Sequence, residues 1–152
     1  SGPRSESTPA AGRNATKQPC YAPRVNTLAV GFFTVGLGIL LGAFGAHGLR
    51  DLGAELLGFW ATATLYHFIG GFGLVALGLL QLVRPVATWP GIALLIGIVS
   101  FSGSLYAMTL GAPRILGAVT PVGGTALIVG FFGLGAQALK LGRAARRPSP
   151  PK

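Results

Sequence analysis

The sequence predicts an all-α, polytopic membrane protein with four transmembrane helices. Three observations predict it. Four long apolar stretches run from about Val25 to Phe44, Phe59 to Val83, Gly91 to Leu110 and Val122 to Leu141, and no Lys, Arg, Asp or Glu enters them before Lys140. Each is long enough to cross a hydrocarbon core of roughly 30 Å as a helix. Of the 152 residues, 51% are hydrophobic and only 10% charged, against about 25% charged in a soluble domain. So few charges cannot cover a water-facing surface.

The third observation is where the charge lies. With the spans running up, down, up, down, one side holds Arg4, Arg13, Lys17, Arg24, Arg84, Lys140, Arg143, Arg146, Arg147 and Lys152 against Glu6, which is the whole net charge of +9. The other side holds Arg50 and Arg114, balanced by Asp51 and Glu55. Basic residues resist translocation, so both termini belong on the positively charged side, facing a cytoplasm or a mitochondrial matrix. An odd number of spans would split the two basic ends and weaken this bias.

The organisation follows as a basic, Pro/Ser/Thr-rich N-terminal arm over residues 1–24, a four-helix transmembrane domain over 25–142 and a basic tail over 143–152. The arm lacks an apolar run, so it is not an intact signal peptide. A start without Met is expected of a processed chain or a tag remnant. Arm and tail have compositions that stay disordered unless a partner holds them. A lone Cys20 rules out an internal disulfide.

The first span carries Gly31, Gly38, Gly42 and Gly45, and Gly38 with Gly42 forms a GxxxG face on which another helix can approach closely. Gly48 then permits a turn, with Asp51 placed to cap the next helix and Glu55 in that helix's first turns. Leu49, Leu52, Leu56, Leu57 and Trp60 give this piece an apolar side, which predicts a short interfacial helix with Trp60 near headgroup level. The second span holds Tyr66, His67 and Gly70, Gly71, Gly73 and Gly78. Pro85 and Pro90 bound a turn on the basic side. Ser100, Ser102, Ser104 and Tyr106 make the third span's polar face. Thr120 can cap the fourth helix and Pro121 suits its first turn. Gly130 is a further packing position there. The 25 glycines read as close packing of short-looped helices. A carrier with gating helices would want a polar midplane site and broken helices between repeats, which the sequence does not display.

Two constellations carry polar chemistry. His67 lies inside the second span, and a buried imidazole there needs a hydrogen-bond partner. Ser100, Ser104, Tyr106 or a backbone carbonyl would serve, and a neutral histidine tying two helices is the expected role. It is also the candidate cofactor-binding residue. Haem ligation would need His47 as well, in a poor geometry, and with no in-span carboxylate a metal site is not expected. The second cluster is His47, Arg50, Asp51, Glu55 and Arg114, all on the side without net charge. His47 and Asp51 are four apart and can pair on a helix, while Arg114 can reach Asp51 or Glu55. The expected role is a loop clasp; a ligand or catalytic cleft is the alternative. No nucleophile motif, phosphate-binding loop or metal motif is present, so no catalytic residue is assigned.

The segments GAFGAHGL (Gly42 to Leu49), TATLYHF (Thr62 to Phe68), GSLYAMTLG (Gly103 to Gly111) and TPVGG (Thr120 to Gly124) resemble the family called domain of unknown function 423. It takes in YgdD-like and transmembrane protein 256-like small membrane proteins. The resemblance covers roughly residues 25 to 142. It implies a small multi-span protein of bacterial inner membranes or mitochondria, and no activity or site residue. Family members carry a further histidine where this chain has Gly70, which counts against haem or metal at His67.

The expected function is a non-catalytic accessory or structural subunit of a larger membrane complex, in particular a respiratory-chain assembly of the mitochondrial inner membrane. The alternative is a small oligomeric carrier, channel or lipid- or cofactor-binding protein, and the bacterial inner membrane is the alternative location. Expected partners are other membrane subunits and lipids, including anionic lipid held by the basic flanks. No cofactor is called for, although a bound lipid would suit the composition. Nucleic acid is excluded, because no soluble module presents the basic residues.

Overall fold

Apart from Gly2, the computed structural model describes residues 24–145; the arm and the end of the tail lie outside the described residues. The order is α1 (Arg24–Gly48), α2 (Ala54–Val83), α3 (Trp89–Gly97), a π-helical turn (Ile98–Ser102), α4 (Gly103–Thr109), a 3-10 turn (Arg114–Ala118) and α5 (Thr120–Ala145). α3, the π turn and α4 form one continuous span, so four helical segments are long and apolar enough to cross a membrane. The fourth runs beyond the boundary at residue 142 that composition suggests.

The ends of these helices have local causes. Gly53 is the N-cap of α2, in an extended conformation and without a side-chain cap bond. The cap expected from Asp51 is therefore not formed, and Asp51 stays in the turn. Arg84 is extended ahead of Pro85 and closes α2 with its N–H on the Leu80 carbonyl. Pro90 occupies the first turn of α3, where its missing N–H is harmless. α4 ends in a Schellman turn. The N–H of Ala112 donates to Ala107 O at 2.9 Å and that of Gly111 to Met108 O at 3.2 Å. Gly111, at φ 98°, takes the left-handed position that a side chain would strain.

The separate interfacial helix expected between the first two spans is absent. Residues 49–53 make a tight turn, and Ala54 to Trp60 opens α2 itself. The reason is packing. Leu49 and Trp60 are buried against protein rather than laid along an interface. The Leu56 carbonyl meanwhile accepts a 3.3 Å bond from the Thr109 hydroxyl.

α1 and α2 lie antiparallel in a register set by glycines on both. A Cβ at Gly78 would sit 2.6 Å from the Cα of Leu28, and one at Gly31 would sit 2.6 Å from the backbone N of Val75. Gly71 faces Thr34 and Val35, Gly38 faces Phe68 and His67, Gly42 faces Thr64, and Gly45 faces Trp60. Gly31, Gly38 and Gly45 are seven apart, as are Gly71 and Gly78. That heptad keeps one face toward the partner along the whole pair. The third span and α5 pair the same way. Gly97 faces Leu127, Gly130 faces Leu94, Gly123 faces Ser100 and Phe101, and Gly133 faces Trp89. This pair is also tied by Ser104 Oγ to Thr120 Oγ1 at 3.1 Å and by Gln137 Nε2 donating to Ala87 O at 3.2 Å. Thr120 thus bonds sideways.

Between the pairs, Leu74, Leu94, Ile98 and Leu127 form a buried core with Phe101 against it. α2, the third span and α5 therefore share a three-helix core, and α1 lies outboard on α2. The π turn decides how the third span serves two neighbours. Gly103 N–H bonds to Ile98 O, five residues back. The added residue rotates the helix face by about 100°. α3 packs mainly on α5, the π turn lies against both α5 and α2, and α4 packs mainly on α2. Ser102, in this turn, is fully buried, and its Oγ has no partner among the described residues.

Candidate functional site

The polar interior gathers on one side of α2, at Trp60, Thr64 and His67. Spacings of four and three place them on one helical face, which continues through Gly71. Trp60 is 4% exposed, and its Nε1 donates to Leu41 O of α1 at 2.9 Å. Its ring lies 5.6 Å from Phe44 and 4.5 Å from Tyr106. Tyr106 of α4 donates its hydroxyl to Thr64 Oγ1 at 3.2 Å, and Thr64 donates to Trp60 O at 2.9 Å. His67 Nε2 is 3.0 Å from Thr34 O of α1. A carbonyl only accepts, so Nε2 carries the hydrogen. The His67 and Tyr106 rings stand 6.1 Å apart.

This seam ties α1, α2 and α4 together. Its hydrogen bonds end on backbone carbonyls, which neither activate a nucleophile nor carry a proton onward. Among the partners the sequence offers His67, a backbone carbonyl takes the Nε2 bond. His47 lies in the last turn of α1 and is exposed, not in a loop. His67 faces α1 beside Thr34 and Gly38, some nine to thirteen residues from His47. At 1.5 Å per residue that separates them by roughly 14 to 20 Å, too far for one haem iron. Among the described residues no group of three His, Cys, Asp or Glu could hold a metal ion.

The five-residue loop cluster contracts to one pair. Arg114 Nη2 reaches Glu55 Oε1 at 3.3 Å and Oε2 at 3.4 Å. No described hydrogen bond or ion pair joins His47 to Asp51, because α1 ends at Gly48 and the two are not on one helix. Arg50 and Asp51 are exposed on the turn. The side chains of Arg114 and Glu55 are 81% and 59% exposed, and exposed pairs contribute less than about 1 kcal/mol. Arg114→Ala is accordingly expected to lower the unfolding midpoint only slightly, by that amount or less, in a detergent denaturation series. A loss of several kcal/mol would show the clasp to be stronger than its exposure implies.

Of the packing glycines, Gly38 and Gly42 sit in the α1–α2 seam, and Gly130 sits between α5 and α3. Sequence reasoning placed Trp60 at an interface and missed its partnership with Thr64 and Tyr106. The signal was the stripe Trp60, Thr64, His67, Gly71, Gly78. Polar and small residues recurring on one face of an apolar helix mark a helix neighbour rather than lipid.

Comparison with known proteins gives the family. The family model described as "Protein of unknown function (DUF423)" matches residues 41–124, which contain all four recognisable segments. This chain belongs to the DUF423 family. A UPF0382 membrane protein of Staphylococcus saprophyticus is 42% identical over 69% of this chain and 89% of its own length. One of Staphylococcus epidermidis is 41% identical over 74% and 94%, and YwdK of Bacillus subtilis is 36% identical over 74% and 95%. No solved structure matches. With relatives named as membrane proteins and four apolar helices, this DUF423 chain is an integral membrane protein.

Proposed function

We propose that this DUF423 protein is a non-catalytic scaffold, an accessory subunit that docks its outer helices on other membrane proteins. One observation carries the reading. In the two flanking spans, α1 and the segment ending in α5, only 17% of the residues in an 18-residue apolar stretch are buried within the chain, against 44% in α2 and the third span. Their outer faces present Phe32, Phe33, Phe44 and Phe132. Lipid tails are as apolar as these side chains, so what joins helices in a membrane is shape and close approach. An outboard α1 held by one neighbour leaves its other sides open to such contact. The interior supports the same reading, because His67, Trp60, Thr64 and Tyr106 are committed to holding helices together.

The alternative, a small oligomeric carrier or channel, would call for a polar route, and the polar groups of the α1–α2–α4 seam are engaged in helix ties. The relatives come from bacteria, so the proposed setting is a bacterial plasma membrane rather than a mitochondrion. No observation favours a respiratory assembly. Both termini would face the cytoplasm, by the charge asymmetry. The test is native mass spectrometry after extraction in a polymer nanodisc. Co-purification with a larger complex at fixed stoichiometry is the expected result. A lone monomer or homo-oligomer would overturn the scaffold reading.

A further inference from the structure

Two grooves on one side of the molecule share Phe101. The first, about 510 Å³, lies at the loop end and is lined by Phe59, Leu105, Met108, Gly117 and Pro121, with Arg114 as its one charged lining residue. The second, about 480 Å³, continues beside α5 past Gly124, Leu127 and Ile128 to Phe132. From Pro121 to Phe132 the helix rises about 16 Å. The two grooves therefore make an apolar strip as long as much of a membrane leaflet, with Arg114 as the one charged residue lining them.

The charged end is a matched pair. Arg114 is held beside Glu55 at 3.3 Å, and both side chains remain largely exposed. The neighbouring Arg50 and Asp51 also balance, so this end of the protein has no net charge to attract a purely anionic headgroup. A guanidinium recognises a phosphate through directed N–H donors, and a carboxylate recognises an ammonium that can donate hydrogen bonds. The two side by side match a headgroup carrying both charges. A quaternary ammonium has no N–H to give Glu55, so a primary amine is the better partner.

We propose that this strip is a phospholipid site: an acyl chain lies along Phe101 toward Phe132, and an ethanolamine-type headgroup sets its phosphate on Arg114 and its ammonium on Glu55. The site needs no protein partner, and of the docking faces proposed above it uses only Phe132. It also differs from the basic end around Arg84, Lys140 and Arg143, where the groove of about 850 Å³ past Phe132 has Arg143 as its one charged lining residue and suits an anionic headgroup.

The experiment is native mass spectrometry of the full chain in detergent with an equimolar mixture of phosphatidylethanolamine, phosphatidylglycerol and phosphatidylcholine. One retained phosphatidylethanolamine, favoured by about tenfold over each competitor, is expected. Arg114→Gln should remove the preference. Glu55→Gln should move it toward phosphatidylglycerol, because the phosphate site survives and the ammonium site does not. Gly117→Leu fills the groove and leaves the ion pair intact. A Cβ there meets only the Met108 side chain, at 3.7 Å or beyond, so the fold should tolerate it while lipid retention falls about tenfold. Equal retention of the three lipids, preference for phosphatidylglycerol or phosphatidylcholine by the parent, or unchanged retention by Gly117→Leu would each overturn the proposal. Should Arg114→Gln fail to fold, Glu55→Gln and Gly117→Leu still decide it.

Discussion

Gly78→Leu is expected to pull α1 away from α2 and to cost at least about 3 kcal/mol of stability, at or above the upper end for overpacking a tight interface. A Cβ at position 78 would lie 2.6 Å from the Cα of Leu28 and 2.7 Å from its N. Those are backbone atoms, so no rotamer change relieves the clash and the helix itself must move. Because α1 rests on α2 nearly alone, its displacement would also strain the Trp60–Leu41 and His67–Thr34 bonds. Unfolding in mixed micelles, titrated with a denaturing detergent and followed by circular dichroism, measures the change. Gly36→Leu is the control: a Cβ there meets nothing within 4 Å, and a change into open space should stay within about 0.5 kcal/mol. Equal behaviour of the two variants would refute the glycine register.

Trp60→Ala should cost about 3–5 kcal/mol, the range for deleting a large buried aromatic side chain. The indole is 4% exposed and packs on Phe44 and Tyr106. Its N–H holds Leu41 of α1 at 2.9 Å, so the truncation opens a cavity where α1, α2 and α4 meet. Trp60→Phe keeps much of the ring contact and loses the hydrogen bond, for roughly 1 kcal/mol. The same micelle titration distinguishes the cases. A tryptophan anchored in the headgroups would tolerate alanine at a cost below about 1 kcal/mol, and that outcome would contradict the buried seam.

Both predictions fall where reading the sequence and reading the structure part company. Apolar length and scarce charge were enough to identify four spans, since each is a property of a segment against its solvent. The GAFGAHGL segment was enough for the family. Gly38 and Gly42 were legible as packing positions because small residues one turn apart have few other uses in a membrane. The register was not. Gly31, Gly38 and Gly45 on α1 and Gly71 and Gly78 on α2 each show a heptad, but the pattern does not say which helix each faces.

Trp60 shows the same limit. A tryptophan at the start of a span suits a headgroup belt as well as a helix seam, and only the approach of Tyr106 from α4 decides between them. That approach follows the π turn at Ile98–Ser102, past which the third span packs mainly on α2. The loop cluster fell from five residues to Arg114 and Glu55 because α1 ends at Gly48, before Asp51. By itself the sequence determined the solvent and the number of spans, because hydropathy acts on each segment independently. Partners, register and the groove below Arg114 were decided by tertiary structure, because they depend on which small residues meet which backbone, and that is a property of pairs.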